Sequence, residues 1–315
     1  MRGISIVLPA TSANLGPAFD AAALALSLYL KVSATASDEF SIIASGRDPE
    51  ICGAMQDHLI LTTYSEVLQA ERKPVHPLRL QIENEIPIGK GCGSSAAARL
   101  AGIALANHFG HLRWSRERII GEASTREHHP DNAAACWLGG LAIARMASER
   151  EAQVVQLTPK GKWPLLLAVP DESLSTEEAR RVLPREYSRA DVVTNIQNSM
   201  LLLAAFSRGE HRLLDGALGD RVHQPYRSPL CPLLPALQTL VGGKGVAGVA
   251  LSGAGPSVLI FVDPRMRLPA LKKRVRQYLS EQNLTAELIE TEISKSGARL
   301  SGSAADRRRV STQRP

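Results

Sequence analysis

The chain has 315 residues, of which 44% are hydrophobic, 22% charged and 4% aromatic, and it carries a formal net charge of +6. That length allows two domains, and the composition is that of a folded protein whose core is built from Ala, Val, Leu and Ile rather than a disordered chain. The positive charge is not a nucleic-acid signature, because residues 297–315 hold five Arg and one Asp and so account for +4 of it, in a stretch too poor in apolar residues to repay its ordering.

Residues 5–8 form an apolar run that ends at Pro9 and read as a first strand; the run is too short for a signal peptide. Residues 28–36, 40–44 and 78–83 read as further strands, the last with clean alternation. A Gly-rich stretch at 89–95 precedes an Ala-rich helix over 96–109, and a second helix is expected over 114–123 with Ser115 as N-cap. Residues 141–146 and 165–169 look like buried strands. The chain then turns charged from 171 to 189, where Ser175 and Thr176 cap a helix starting at Glu177 and Glu178. A long apolar helix is expected over 192–206, two strands around the turn 252–257, a helix over 271–279 and a closing strand over 286–292. Without a steady βαβ alternation, the class is α+β rather than a doubly wound sheet. Polar residues 148–156 and the break at 161–164 divide the chain into 1–155 and 156–296, followed by a disordered basic tail, 297–315.

No apolar span reaches eighteen residues, so no membrane association is expected. Cys52, Cys92, Cys136 and Cys231 lie far apart with no C-x-x-C pair, which indicates neither a zinc framework nor a disulfide scaffold. Together these features lead to the expectation of a cytoplasmic protein.

The most informative segment is Pro87-Ile88-Gly89-Lys90-Gly91-Cys92-Gly93-Ser94-Ser95-Ala96-Ala97. Its glycines let the backbone approach a ligand, and it runs into a helix whose first turn offers N–H groups and a positive dipole end, a combination suited to phosphate. The Walker pattern is absent, since Lys90 precedes the second glycine rather than the serines. A dinucleotide fingerprint is formally present from Gly91 to Ala96, but it asks for an acid further along, and no Asp or Glu occurs between Ala96 and Arg116. A plain strand-to-helix turn is the bland alternative. Cys92 raises a separate question: a thiol at a helix start can be activated, or it can simply fill space.

The loop resembles the ATP loop of the GHMP kinases, P-x-x-x-G-x-G-S-S-A-A. PATSANLGPAFD (residues 9–20) and LSGAGPS (251–257) resemble that family's first and third motifs, in the same order along the chain. EHHPDN (127–132), TEEAR (176–180) followed by Leu183-Pro184, and HQPYR (223–227) resemble segments of its homoserine kinase branch. Departures are Ala18 for Gly, Cys92 for Leu, His128 for Gly, and His58 where an Asn that contacts the nucleotide is common.

The resemblance implies a two-domain fold of mixed sheets with packed helices, ATP and Mg²⁺ as cofactors, and phosphorylation of the L-homoserine hydroxyl, with a homodimer as the assembly. It implies that Gly91, Gly93, Ser94 and Ser95 wrap the phosphates and that Ser95 and Glu127 hold Mg²⁺, with Glu122 as the fallback. A zwitterionic substrate needs opposed charges. Arg180 and Arg227 suit its carboxylate, Asn14 and Asp20 with His129 and Asp131 its ammonium, Asn132 its hydroxyl, and Thr176 and Gly253 complete the pocket. Asp131 is the candidate general base, although orientation and charge alone are the other route. Adjacent His128 and His129 rarely reach one ion, which argues against zinc. Another GHMP kinase such as mevalonate kinase, a dinucleotide oxidoreductase and a non-catalytic ATP sensor are the competing functions.

Overall fold

The computed structural model describes residues 3–243 and 245–302. The first half of the chain reads β1 (Ile4–Ala13), β2 (Ala22–Ala36), β3 (Ser41–Gly46), α1 (Pro49–Gly53), α2 (Leu59–Ala70), β4 (Leu78–Asn84), α3 (Ser94–Phe109), α4 (Arg116–Glu127), α5 (Asp131–Leu138), β5 (Leu141–Ser148) and β6 (Glu151–Leu157). The second half reads β7 (Pro164–Val169), α6 (Thr176–Arg181), α7 (Arg189–Arg208), α8 (Leu214–Ala217), α9 (Gln224–Arg227), α10 (Leu233–Gln238), β8 (Val246–Leu251), β9 (Val258–Val262), α11 (Leu268–Glu281), β10 (Glu287–Glu292) and β11 (Arg299–Gly302).

The fold is α+β. One seven-stranded sheet runs β11-β1-β2-β4-β3, with β5 and then β6 attached to β2; a four-stranded antiparallel sheet runs β10-β7-β9-β8. β2 is fifteen residues long, and this lets it serve two partners on one side: Leu30–Ala36 pair with β4, and Ala22–Leu24 pair with β5. β4 alternates strictly, burying Leu78, Leu80, Ile82 and Asn84 while the residues between them face solvent. Each such aliphatic side chain contributes roughly 1.5–3 kcal/mol by leaving water. α3 packs against α2, α4 and β1, and α5 lies on β1, β2 and β5; the starts of α3 and α5 meet at Thr11, which adjoins both Gly93 and Asn132.

Four expectations need correction. β1 does not stop at Pro9 but continues to Ala13 through a bulge between Pro9 and Ala10. A bulge tolerates a residue without an N–H, which is how proline survives there. The polar stretch 148–156 is not a linker, since most of it forms β5's end and the edge strand β6, of which Ala152 alone is fully buried. The apolar helix is real but divided: Leu202, Ala205 and Phe206 of α7 are buried, whereas Ile196 is 55% and Met200 65% exposed. Finally, residues 297–302 are not part of a tail. β11 pairs with Ile4–Val7 of β1, and Ala298 N donates to Trp137 O. Every β11 residue is exposed, so the strand is held by backbone hydrogen bonds to an open edge, which leave no trace in apolar patterning. Residues 303–315 of the expected tail lie outside the described residues.

Candidate active site

The three glycine-bearing motifs are tied together by backbone. Thr11 N donates to Cys92 O (3.0 Å), Gly253 N to Ala13 O (3.1 Å), and Ser257 N to Lys90 O (3.4 Å). Side chains add to this, with Asn14 Nδ2 donating to Gly253 O (2.8 Å) and Ser252 Oγ to Gly91 O (2.8 Å). Gly91 and Gly93 serve that seating, a reason different from close approach to a ligand. At positive φ, a Cβ on Gly91 would lie 2.2 Å from Ser252 O, and one on Gly93 1.9 Å from Thr11 Oγ1.

Beyond Gly93, α3 starts at Ser94 with no side-chain cap, and its first helical bond is Ala97 N to Gly93 O. The N–H groups before it have no helical carbonyl to meet, so they and the dipole end present an anion site. Ser95 Oγ donates to Glu127 Oε1 at 2.6 Å, which joins the start of α3 to the end of α4. Arg99 Nε donates to the same oxygen, also at 2.6 Å. Two hard oxygen donors side by side suit Mg²⁺. Glu122, the fallback, instead faces Arg118 and Arg126 and lines neither cavity beside the loop.

Two cavities flank the loop. The smaller, about 110 Å³, is lined by Gly89, Gly91, Gly93, Ser94, Ser95 and Glu127 on one side. On the other it meets Asn14, Asp20, His129, Asp131, Asn132, Thr176, Arg180, Arg227 and Gly253. The larger, about 680 Å³, is mostly apolar and takes Ile88, Gly89, Ser94 and Ser95 together with Ile51, His58, Ile60, Ile82 and Ile86. Not every loop residue faces these spaces. Cys92, Ala96 and Ala97 are wholly buried as packing, and Pro87 and Lys90 line a separate cavity, where Lys90 Nζ donates to Asp171 O. Burial pushes the Cys92 thiol up to about 12, so it fills the space of an aliphatic residue and is not an activated nucleophile. His58 is the residue before α2; burial lowers its pKa, and its Nε2 meets Cys52 O at 3.0 Å.

The small cavity has a cationic and an anionic end. Arg180 and Arg227 both lie over the Phe19 ring, at 5.4 and 5.3 Å. Arg180 NH2 donates to Asp20 Oδ1 at 2.7 Å. Arg227 ends α9 and is 1% exposed; its Nε donates to Ala179 O at 2.9 Å. Burial, and then the charge of Arg180, pull its pKa to about 10, which still leaves it charged at neutral pH. At the other end, Asp131 opens α5 and is 1% exposed, and its Oδ1 accepts from His129 Nδ1 (2.6 Å), Asn132 N (2.6 Å) and Asn132 Nδ2 (3.3 Å). Burial opposes charge on His129, but the Asp131 hydrogen bond and the charges of Asp131, Asp20 and Glu127 outweigh it and raise its pKa. One ligand atom each from Asp20, His129 and Asp131 falls within 4.8 Å of the others, which gathers two carboxylates around the His129 ring. His128, at positive φ, is exposed while His129 is buried, so the adjacent pair diverges.

Two supporting residues escaped the sequence reading. Arg99 carried no motif signal beyond its place one turn after Ser95. His223 lies in the HQPYR motif, whose substrate residue is Arg227. It is wholly buried, its Nε2–H donates to Gly16 O (2.8 Å) and its Nδ1 accepts from Arg227 NH1 (3.2 Å), so it is the neutral imidazole that orients the guanidinium. Burial lowers its pKa from 6.5 to about 4. The stability that this neutral ring contributes is therefore complete above pH 6.5 and falls as pH drops toward 4, because the unfolded chain takes up a proton that the buried ring refuses. Denaturation midpoints measured across that window are expected to decline, and His223→Gln, which keeps a donor and an acceptor, is expected to flatten the slope.

No helix among the described residues is long and apolar enough to cross a membrane. Residues 58–140 match the GHMP kinases N terminal domain, and residues 202–281 match the GHMP kinases C terminal domain. The chain is 45% identical to a homoserine kinase of Solibacter usitatus, over 81% of this chain and 84% of that one. It is 34% identical to a homoserine kinase of Deinococcus radiodurans, over 94% of this chain and 96% of that one. A crystal structure of homoserine kinase from Cytophaga hutchinsonii superposes with a TM-score of 0.78 at 21% identity, covering 96% and 98% of the two chains, which speaks to the fold.

Proposed function

The chain belongs to the GHMP kinase family, and from that premise we propose that it transfers a phosphoryl group from ATP to the side-chain hydroxyl of L-homoserine, yielding O-phospho-L-homoserine in threonine biosynthesis. The observation that carries the reading is the small two-ended cavity opening onto the start of α3. The cationic end takes the α-carboxylate through Arg180 and Arg227, and the anionic end takes the ammonium through Asp20 and Asp131 with Asn14 beside them, while His129 lines the wall and holds Asp131. Thr176 and Gly253 close the wall. This leaves the hydroxyl arm at Asn132, on the side of the phosphate loop. Mevalonate, acceptor of the runner-up kinase, would leave the anionic end without a partner.

ATP fits the two cavities in sequence, its apolar base in the larger one and its phosphates on Gly91, Gly93, Ser94 and Ser95. Ser95 and Glu127 would hold Mg²⁺, which when bound neutralises charge on the phosphates. The chain's own work is then positioning: it pins both ends of the amino acid and directs the hydroxyl. Asp131 is the candidate base, but with its Oδ1 already taken by three donors it also organises His129 and Asn132. Asp131→Asn is expected to lower turnover about 100-fold, the lower end of general acid–base contributions; turnover at the native rate would exclude a base role.

A coupled ADP-release assay with homoserine, mevalonate and galactose as separate acceptors tests the reading. Homoserine is expected to be the acceptor that supports turnover, and turnover with mevalonate alone would overturn it. The reading carries a cytoplasmic location and a homodimer with it, which cell fractionation and sedimentation equilibrium check.

A further inference from the structure

Thr11 has no role in the reading above, yet two distant segments close on its hydroxyl. It sits in β1 with 0% exposure, and its Oγ1 donates to Asn132 Oδ1 at 2.5 Å. Its backbone N–H donates to Cys92 O in the phosphate loop. A Cβ added to Gly93 would fall 1.9 Å from Thr11 Oγ1 and 3.2 Å from Asn132 Oδ1, so the loop lies directly against the Thr11–Asn132 pair.

A primary amide can turn either of two faces to a cavity. With its oxygen outward it accepts a proton, and with its nitrogen outward it donates one. The Thr11 hydroxyl can donate or accept, but the Asp131 carboxylate oxygen only accepts and so takes the amide nitrogen, which leaves the buried Thr11 proton to Asn132 Oδ1. The amide oxygen is thereby held inward. The nitrogen is left for Asp131 Oδ1, at 3.3 Å, and for the cavity that Asn132 lines.

We propose that Thr11 is a positioning residue for phosphoryl transfer: its hydrogen bond to Asn132 Oδ1 holds the amide so that Nδ2 donates to the acceptor oxygen of the substrate. This rests on the phosphoryl-transfer reading. A donor on the acceptor oxygen takes one lone pair, leaves another for phosphorus, and turns the hydroxyl proton away from the line of attack. The opposite amide orientation would bind the hydroxyl's proton to an amide oxygen too weakly basic to take it, whereas here that proton is free to pass to Asp131 or to the transferred phosphoryl group as the new O–P bond forms and ADP leaves.

The test is Thr11→Val, which keeps the shape and removes the donor, with Thr11→Ser as the conservative variant and Asn132→Ala as the background. Thr11→Val is expected to lower kcat about 30-fold, the scale of a misaligned reacting group, while KM for homoserine and the calorimetric Kd for Mg-ATP stay within about threefold. Thr11→Ser is expected to recover most of the rate, and Thr11→Val in the Asn132→Ala background to cost nothing further. A Thr11→Val rate within twofold of native, a loss that Ser does not restore, or losses that multiply in the double variant would each overturn the proposal. The two readings fail separately. A native chain that does not phosphorylate homoserine rejects the functional reading, whereas an active native chain indifferent to Thr11→Val rejects this inference alone.

Discussion

Replacing Arg180 by Met is expected to lower kcat/KM for homoserine roughly 30- to 100-fold, with the loss carried mainly by KM. Truncating one partner of a hydrogen-bonded charge pair costs about 2–5 kcal/mol. Arg180 is 34% exposed, so solvent screens part of that and the lower end applies. Met keeps the unbranched aliphatic stem, so the change removes the charge, the donors and the guanidinium's contact with the Phe19 ring rather than the bulk of the side chain. Arg227 makes a less clean test, since its buried guanidinium also holds Ala179 O and contacts His223, and its removal would disturb the wall itself. The control is the next residue. Arg181 is 72% exposed and pairs with Glu177 on the outer face of α6, and Arg181→Met is expected to leave steady-state kinetics unchanged. Equal losses at both positions would show that the net charge of α6 matters and not the Arg180 contact. Nucleotide affinity, measured by calorimetry, should not move in either variant.

Glu127→Gln is expected to reduce kcat/KM on the order of 100-fold, about 2.7 kcal/mol of transition-state stabilisation, and to raise the Mg²⁺ concentration needed for half-maximal rate. The carboxylate oxygen that meets Ser95 and Arg99 would become a neutral amide, a poorer partner for a hard cation. The substitution also strands Arg99, whose positive charge then lies uncompensated where the metal should sit. Binding of Mn²⁺, followed by its electron paramagnetic resonance signal in the presence of nucleotide, gives a readout apart from turnover. Unchanged Mn²⁺ affinity would remove Glu127 from the metal site. Glu122→Gln should break helix ion pairs with Arg118 and Arg126 and cost stability without shifting the metal dependence.

Much of the candidate site is legible in the residue order alone. Ser115 and Ser175 cap α4 and α6 as read, accepting from Arg118 N at 3.2 Å and Glu178 N at 3.1 Å. The residues singled out from the motifs for the substrate (Asn14, Asp20, His129, Asp131, Asn132, Thr176, Arg180, Arg227 and Gly253) all line one cavity. The large apolar cavity was not foreseen. Its Ile51, Ile60, Ile82 and Ile86 come from four different segments, and each alone looks like ordinary core.

What the amino-acid order determined by itself was everything whose cause lies within a few residues: the alternation of β4, the caps of α4 and α6, and the glycine-serine loop that opens a helix with N–H groups outward. Tertiary structure decided the rest. It made Gly93 obligatory through Thr11, kept Cys92 inert by burial, turned His223 into a neutral prop for Arg227, and recruited the exposed residues 299–302 as a strand through backbone bonds to β1. The reason is physical. Caps and alternation depend on the chain's own local geometry, whereas burial, amide orientation and pKa depend on partners distant in the sequence, whose approach no local pattern encodes.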